Sequence, residues 1–300
     1  MPLDPDIVAL GSDDGPPLSS LTLAEARAIT RGVVALQGEA VPVASVRDVV
    51  AGTVPIRLYR PAGAASSVLV WAHAGGWIRG DLDTWDIPLR DLAVRAGCVV
   101  ASVGYRLAPE ARWPAALEDV LTAVRYVLAS GYERVAVGGD SAGGTLATAA
   151  ALALRDLGDA SVAAQVLLYP PTDPFYGSPA FVRYADGSPL STQDIRERDD
   201  LGWLWNQYLP SVHAADHPYA APARARSLAG SPPAIVATAE YDILRDDAES
   251  YAARLAADGV PVVVRRFSGM VHSFFHFGGK VPAARALADW VAEELRPLLA

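Results

Sequence analysis

The stretch Gly138-Gly139-Asp140-Ser141-Ala142-Gly143-Gly144 directly follows the apolar run Arg134-Val135-Ala136-Val137. This order predicts a strand that turns abruptly into a helix, with Ser141 at the apex. So sharp a turn strains the backbone and admits only small side chains two positions to either side, where Gly139 and Gly143 stand. The Ser141 hydroxyl would then lie at the N-terminal end of the helix, whose dipole stabilises developing negative charge. The stretch therefore predicts a nucleophilic serine, against the simpler alternative of a glycine-rich turn with an idle serine.

Strands alternate with helical segments on both sides of this stretch. Two strands, at 45–50 and 54–59, are separated by a short turn and are predicted to enter the sheet as an antiparallel pair. The alternation predicts an α/β fold built on a mostly parallel, doubly wound sheet of eight strands. The remaining strands are predicted at 67–73, 98–104, 134–140, 162–169, 233–240 and 261–267.

An aspartate and a histidine follow two of the later predicted strands. Asp242 comes just after the strand at 233–240, and His272 comes shortly after the strand at 261–267. Because the carboxyl ends of parallel strands meet at one edge of a sheet, both side chains should lie near Ser141. A serine hydroxyl is a poor nucleophile at neutral pH until a base takes its proton and an acid orients that base. We therefore expect a catalytic triad of Ser141, His272 and Asp242.

Other acids and another histidine compete for these roles. Asp246 and Asp247 are predicted to lie in the first turn of the next helix, where carboxylates favour the helix dipole and face solvent. His276 lies about one turn after His272 in an aromatic cluster, and we expect it to be packed there. Asp242 and His272 are therefore the preferred acid and base.

The loop His73-Ala74-Gly75-Gly76-Trp77 follows the predicted buried strand at 67–73. A glycine-rich turn there can bring backbone amides close to a substrate carbonyl. We expect an oxyanion hole made by the amides of Gly75, Gly76 and Ala142, with His73 bracing the loop through its ring nitrogens. No second histidine or cysteine stands at metal-ligand spacing from His73, so the sequence predicts no metal site.

Five motifs of this chain resemble those of the hormone-sensitive-lipase-like esterases, the bacterial family IV carboxylesterases. The resemblance spans nearly the whole chain. It implies an α/β-hydrolase core with a helical cap, a Ser-Asp-His triad and ester hydrolysis without a cofactor. The motifs are His73-Ala74-Gly75-Gly76-Trp77, Tyr105-Arg106-Leu107-Ala108-Pro109-Glu110, Gly139-Asp140-Ser141-Ala142-Gly143-Gly144, Asp242-Ile243-Leu244-Arg245-Asp246 and Gly269-Met270-Val271-His272-Ser273-Phe274.

Three positions depart from the pattern of that family. Ala74 stands in place of a loop glycine, Ile243 in place of a proline, and Asp247 where glutamate is common. Ala74 requires its φ to be negative or the loop to accept a small strain. None of these departures removes a catalytic group.

The chain divides into a catalytic domain and two cap segments. An N-terminal cap segment is predicted over residues 1–42, with an amphipathic helix from Thr22 to Gln37. The catalytic domain is predicted over 43–175 and 215–300. A second cap segment, 176–214, is inserted after the sixth strand and carries a helix from Thr192 to Tyr208, because a long excursion without strand pattern is typical of a lid or binding segment.

Aromatic residues in and around this insertion have two interpretations. They form the core of the cap, or they line a substrate pocket; apolar stripes at helical spacing favour the core. Trp77 and Phe274 are the better pocket candidates because they lie on the predicted catalytic loops, and Trp205 is a third. The aromatic residues in question are Phe175, Tyr176, Phe181, Tyr184, Trp203, Trp205 and Tyr208.

Composition excludes several functional classes. The 300 residues are 51% hydrophobic, enough for a substantial core, and the formal net charge of −9 argues against nucleic acid and anionic membranes as partners. The single cysteine, Cys98, permits no intrachain disulfide. We see no signal peptide and no apolar run of membrane-spanning length, and we expect a cytoplasmic protein.

The expected activity is that of a serine carboxylesterase acting on short- to medium-chain esters through an acyl-enzyme, with a small ester as its substrate. An amidase or a metabolite deacetylase on the same triad is an alternative, since pocket shape sets the preference for the leaving group. A catalytically inactive receptor, like the plant gibberellin receptors that have lost the triad histidine, is a further alternative. The presence of His272 argues against it.

The last predicted strand has an apolar edge. Val262-Val263-Val264 comes last in the sheet by chain order, and exposed apolar edges favour pairing with a second copy. Related esterases often dimerise through this edge, so a homodimer is expected. Arg265 and Arg266 count against it, because charges near an edge also protect monomers from pairing.

Overall fold

An eight-stranded sheet forms the centre of the molecule. The computed structural model describes residues 2–11, 16–159, 162–174 and 191–300, the last range with side chains from residue 200. The strands are β1 Ser45–Ala51, β2 Val54–Arg60, β3 Ser67–Ala72, β4 Val99–Val103, β5 Arg134–Asp140, β6 Val162–Leu168, β7 Ala234–Tyr241 and β8 Val262–Val271. Their spatial order is β1-β2-β4-β3-β5-β6-β7-β8. β2 pairs antiparallel with β1 and β4, and the other pairs are parallel, which confirms the predicted fold class.

Helices connect the strands and precede them. The described helices are α1 Pro5–Ala9, α2 Leu23–Gly32, α3 Val34–Gln37, α4 Asp86–Ala96, α5 Ala115–Ala129, α6 Ala142–Asp156, α7 Ser191–Tyr208, α8 Arg245–Ala257 and α9 Pro282–Leu299. Short 3-10 turns lie at Leu18–Ser20, Val212–Asp216, Pro222–Arg224 and Phe274–Phe277. No helix in the described ranges is both long enough and apolar enough to cross a membrane.

The core lies in two layers, one on each face of the sheet. Side chains alternate along a strand, so Val68 and Val70 of β3 face one layer while Leu69 and Trp71 face the other. Helices α5, α6 and α8 pack on the first face, and α4 and α9 pack on the second. Because both faces are covered, the central strands are apolar along their whole length, as the sequence pattern indicates.

The predicted helix from Thr22 to Gln37 is divided in two. Thr22 caps α2 through its side chain and a reciprocal bond from Glu25, and α2 ends at Gly32. The short helix α3 then follows directly. The predicted helix of the second cap segment is present as α7.

The domain boundaries given above stay a prediction. Of the aromatic residues in and around the insertion, Phe175, Tyr176, Phe181 and Tyr184 lie outside the described residues.

Candidate active site

Ser141 lies at a sharp turn between β5 and α6, with φ 51° and ψ −123°. A Cβ atom on Gly139 would lie 2.3 Å from the carbonyl carbon of Gly143, and one on Gly143 would lie 2.0 Å from the carbonyl oxygen of Ala72. Backbone atoms cannot move aside as a flexible side chain can. The close approach of α6 to β3 and β5 therefore requires glycine at both positions.

Three polar side chains meet at the carboxyl edge of the sheet. Nε2 of His272 lies 2.9 Å from Oγ of Ser141, and Nδ1 of His272 lies 2.8 Å from Oδ2 of Asp242. The other carboxylate oxygen of Asp242 accepts the backbone N–H of Leu244 at 2.8 Å. Asp242 is fully buried, and 9% of Ser141 is exposed. The structure thus brings the predicted nucleophile, base and acid into one hydrogen-bonded chain.

The ring of Tyr169 packs against the ring of His272, and sequence reasoning did not single out Tyr169. It follows β6 with φ 40°, and its ring meets the His272 ring edge-on at 4.9 Å. Ser273 also has a left-handed backbone, with φ 62°. The signal in the sequence was weak, since only the position of Tyr169 after a strand pointed to the site.

The loop after β3 runs through three consecutive left-handed residues. The φ angles are 123° at Gly75, 60° at Gly76 and 62° at Trp77. A Cβ atom on Gly75 would lie 2.1 Å from the carbonyl oxygen of Arg79, so glycine is required there. Ala74 does not have a positive φ, so the alanine at this position causes no backbone strain in the loop. Gly75, Gly76 and Ala142, the predicted oxyanion donors, line the same cavity as Ser141.

His73 braces this loop, as expected. Its Nδ1 lies 2.7 Å from the carbonyl oxygen of Ala74, an acceptor, so Nδ1 carries the proton. Its ring stacks on Tyr105 at 4.2 Å, and the Tyr105 hydroxyl donates to the His73 carbonyl at 2.8 Å. Burial lowers the pKa of His73 below its usual value. The imidazole is therefore neutral at neutral pH and serves as a structural donor.

The carboxylate next to Ser141 is held by a network that the sequence did not reveal. Asp140 is fully buried, and it accepts hydrogen bonds from Nε1 of Trp71 and Nε1 of Trp85, each at 3.1 Å. Nε2 of His276 donates to it at 3.1 Å, while Nδ1 of His276 accepts from Nε2 of Gln37 at 3.2 Å. His276 is thus packed, as expected, and fixes Asp140 instead of contacting Ser141.

The expectation that Asp247 faces solvent is wrong. Asp247 does lie in the first turn of α8, but its carboxylate turns inward and accepts the backbone N–H of Thr172 at 2.7 Å and the Thr172 hydroxyl. Burial raises its pKa to about 6. Asp246 instead pairs with the neighbouring Arg245. The two competing acids are both engaged with other partners.

The catalytic residues open into a cavity of about 210 Å³. Ser141, His272 and Trp77 line it, so Trp77 is a lining residue, as predicted. We call the part of the lining that comes from the two predicted cap segments the outer wall; it consists of Leu18, Asp200, Leu201 and Leu204. The rest of the lining includes Arg79, Ile243 and Leu244.

Two predicted pocket residues are not among those that line this cavity. Trp205 packs against the outer side of Trp77, with ring centroids 4.4 Å apart, and lines a separate cavity between α7 and the turn that follows it. Phe274 is fully buried and packs on Phe267, with centroids 5.2 Å apart, because the left-handed Ser273 turns the chain back into the core. Both are corrections to the predicted pocket.

A second, larger cleft lies outside the catalytic cavity. It measures about 460 Å³ and is lined on the outer side of the oxyanion loop by Arg27, Asp81, Arg106 and Glu110. Ser141 and His272 face the smaller cavity instead. Within the described ranges, no group of three or more His, Cys, Asp or Glu side chains is arranged to hold a metal ion.

Comparison with known proteins agrees with this geometry. Residues 69–276 match the family described as alpha/beta hydrolase fold. Esterase LipI of Mycobacterium tuberculosis is 40% identical over 259 residues, 83% of this chain and 79% of its own length. An ethyl acetate hydrolase of Pseudomonas putida is 35% identical over 257 residues, 81% of this chain and 78% of its own length. The solved hyperthermophilic esterase of Pyrobaculum calidifontis superposes with a TM-score of 0.90 at 34% identity, covering 100% of both chains.

Proposed function

Because this chain belongs to the family of the alpha/beta hydrolase fold and is a carboxylic ester hydrolase, we propose that it cleaves short- to medium-chain esters through an acyl-enzyme on Ser141. The observation that carries the assignment is the pair of hydrogen bonds on His272. One ring nitrogen lies 2.9 Å from the Ser141 hydroxyl, and the other lies 2.8 Å from the Asp242 carboxylate. A base within hydrogen-bond reach of a hydroxyl, and itself oriented by an acid, meets the geometric requirement for nucleophilic catalysis.

Acylation begins when Oγ of Ser141 attacks the ester carbonyl carbon and Nε2 of His272 takes its proton. Asp242 keeps the proton of His272 on Nδ1 and stabilises the imidazolium that forms. The amides of Gly75, Gly76 and Ala142 hold the tetrahedral oxyanion, and they need no rearrangement because the loops are already fixed.

Collapse of this intermediate breaks the bond between the carbonyl carbon and the alcohol oxygen. His272 gives its proton to the departing alcohol, and the acyl group stays on Ser141. His272 then deprotonates a water molecule, which attacks the acyl carbonyl. The acid leaves, and the proton returns to Ser141.

Replacement of the nucleophile tests the assignment directly. With p-nitrophenyl butyrate as substrate, Ser141→Ala should lower kcat by a factor on the order of 10⁵ to 10⁶. Ser130→Ala, on the exposed end of α5, is the matched control and should retain wild-type activity. A fluorophosphonate should form its adduct on Ser141, as located by peptide mass spectrometry. An adduct on another serine, or full activity in Ser141→Ala, would remove Ser141 from the mechanism.

We also propose that the protein forms a homodimer through β8. This strand is at the end of the sheet, and 39% of Val263 and 49% of Val264 are exposed. Arg266 is bound to Glu249 of α8, which draws one charge away from the edge. Sedimentation equilibrium should give twice the chain mass of 31.5 kDa, and Val264→Lys should return it to that mass. A wild-type monomer at micromolar concentration would overturn the proposal.

A cytoplasmic location stays a prediction. It is supported by the single cysteine, which is buried and unpaired. Fractionation of cells that express the protein, with antibody detection in each fraction, tests it.

A further inference from the structure

The outer wall of the catalytic cavity is a joint between two distant parts of the chain. Leu18 belongs to the 3-10 turn Leu18–Ser20, and Asp200 belongs to α7. Both residues line the cavity that contains Ser141 and His272. The shape of the cavity therefore depends on how firmly these two segments are held together.

The carboxylate of Asp200 makes this joint. Its Oδ2 accepts the backbone N–H of Leu18 at 2.8 Å, and its Oδ1 accepts the backbone N–H of Ser19 at 2.9 Å. Only 7% of Asp200 is exposed. A carboxylate that binds two adjacent amides forms charge-assisted hydrogen bonds, which are stronger than neutral ones and fix the direction of the bound backbone.

The helix side of the joint is fixed independently of Asp200. Leu204, one turn after Asp200, packs against the oxyanion loop so closely that a Cβ atom on Gly76 would lie 2.6 Å from its Cδ2. Leu204 therefore stays on the wall whether or not the carboxylate is present.

The turn that carries Leu18 has few other attachments. Between Pro16 and Leu21, the other hydrogen bonds in the described part of the chain close within the turn, from Ser20 and Leu21 to the carbonyls of Pro17 and Leu18. The next hydrogen bonds from this segment to the core come from Arg27, which binds the carbonyl of Ile78 and the carboxylate of Glu110. Leu18 is therefore the part of the wall whose position depends on Asp200.

We propose that Asp200 is a specificity-determining residue: by binding the amides of Leu18 and Ser19, it holds Leu18 as the end wall of the cavity and limits the length of the ester chain that fits. This rests on the proposed function, because it takes esters to react at Ser141. Loss of the carboxylate lets the turn swing outward. The cavity then lengthens between Leu18 and α7, while the catalytic residues, which lie on other elements, keep their geometry.

The first test compares p-nitrophenyl esters from acetate to decanoate. In Asp200→Asn, the ratio of kcat/KM for octanoate to that for butyrate should rise by at least about tenfold, the scale set by one or two methylenes in an apolar pocket. The acetate ester is measured in the same series, so that a general loss of activity in the variant can be told apart from a change in chain-length preference. Asp91→Asn, which removes a carboxylate paired with Arg95 on α4, is the matched control and should leave the ratio unchanged.

Two further variants separate the carboxylate from the wall. Leu18→Ala shortens the wall without touching Asp200 and should raise the same ratio, and adding Asp200→Asn to it should change the ratio little further. Ser19→Pro removes one of the bound amides on an exposed residue and should act like Asp200→Asn. If Asp200→Asn does not fold, Ser19→Pro alone tests whether the contact of Asp200 with this turn limits the ester chain length.

Hydrogen exchange measured by mass spectrometry gives an independent readout. A peptide covering 16–22 should lose protection in Asp200→Asn and Ser19→Pro, with no change in peptides from β5. A wild-type chain-length profile in both variants would overturn the proposal, whether or not protection falls. The activity of Ser141→Ala tests the proposed function separately. If Ser141→Ala is inactive on esters, a wild-type chain-length profile in the other variants overturns only the role of Asp200. If Ser141→Ala remains active, the proposed function itself is wrong.

Discussion

The hydrogen bond between His272 and Asp242 decides which ring nitrogen of His272 faces Ser141. The fully buried Asp242 accepts the Nδ1 proton with one oxygen and the Leu244 amide with the other. Both oxygens are therefore engaged, and the carboxylate cannot rotate away. This leaves Nε2 without a proton and ready to act as the base.

Asp242→Asn should lower kcat by about 10⁴ with little change in stability, because the amide can donate to Nδ1 and favours the wrong tautomer of His272. Asp246→Asn, in the first turn of α8, is the matched control and should stay near wild-type activity. Steady-state kinetics on p-nitrophenyl butyrate measure both. Equal activity in the two variants would mean that another acid orients His272.

The raised pKa of Asp247 predicts that the stability of the protein depends on pH. Its folded pKa is about 6, raised by burial, whereas an unfolded aspartate titrates near 3.9. The folded protein therefore binds this proton more tightly than the unfolded chain does. The favourable contribution is complete below about pH 4, declines as pH rises to about 6, and is absent above that.

The free energy of unfolding of wild-type protein relative to Asp247→Asn should therefore fall by up to about 3 kcal/mol between pH 4 and pH 7. Comparing the two proteins cancels the titration of all other groups. Urea unfolding at a series of pH values measures the difference. A difference that is flat, or that grows with pH, would show that the hydrogen bonds from Thr172 to Asp247 offset or outweigh the effect of its burial.

At the scale of elements, glycine residues allow α6 to approach β3 and β5 closely. Gly143 lies where the first turn of α6 passes the end of β3, and a Cβ atom there would lie 2.0 Å from a backbone oxygen. The strain at Ser141 persists only because this packing fixes both sides of the turn.

Gly143→Ala should therefore destabilise the protein by at least about 3 kcal/mol, the upper range for overpacking, and should abolish activity. Gly32→Ala, at the end of α2 where no atom lies within 4 Å of the added methyl group, is the control and should be neutral or slightly stabilising. Thermal unfolding and activity assays compare the two. A stable, active Gly143→Ala would show that α6 can shift away from β3.

The sequence was sufficient to predict the elements whose patterns are local. All eight strands lie within a few residues of their predicted positions, because the central strands are apolar along their whole length and the turn between β1 and β2 marks the antiparallel pair. The predicted helix from Thr22 to Gln37 was right at both ends and wrong in its continuity, because α2 ends at Gly32 and α3 begins at Val34. Gln37 of α3 hydrogen-bonds to the carbonyl of Thr84 and to His276, which are distant in sequence, and nothing local to the helix indicated the break.

Side-chain directions after the turns were harder to predict. Phe274 was expected in the pocket because it is close to His272, but the backbone angle at Ser273 turns it into the core. Asp247 was expected in solvent, but Thr172 draws it inward from another strand end. Nothing near Asp140 in sequence indicated that Trp71, Trp85 and His276 would converge on it.

At the scale of the whole molecule, the catalytic cavity is roofed by chain segments that do not belong to the sheet. Leu18 comes from before α2, and Leu201 and Leu204 come from α7. These residues close part of the cavity of about 210 Å³, so the cavity has a limited depth.

We expect kcat/KM to be highest for short- to medium-chain esters and to fall for long-chain triglycerides. The rate should rise smoothly through the solubility limit of the substrate. The segments over the cavity are already in place, so we expect no interfacial activation. Rates measured against tributyrin concentration check this. A jump in rate when droplets form would contradict it and indicate a true lipase.

The position of the only cysteine has a practical consequence. Cys98 is buried immediately before β4, and burial raises the pKa of its thiol to about 12. Since the thiolate is the species that reacts with maleimides, we expect the buried thiol of Cys98 to react with them only slowly at neutral pH. A cysteine placed at the exposed Val212, just past α7, would be the single labelling site of the protein. Fluorescent dyes or spin labels can thus be attached beside the catalytic roof with no native residue removed from the core.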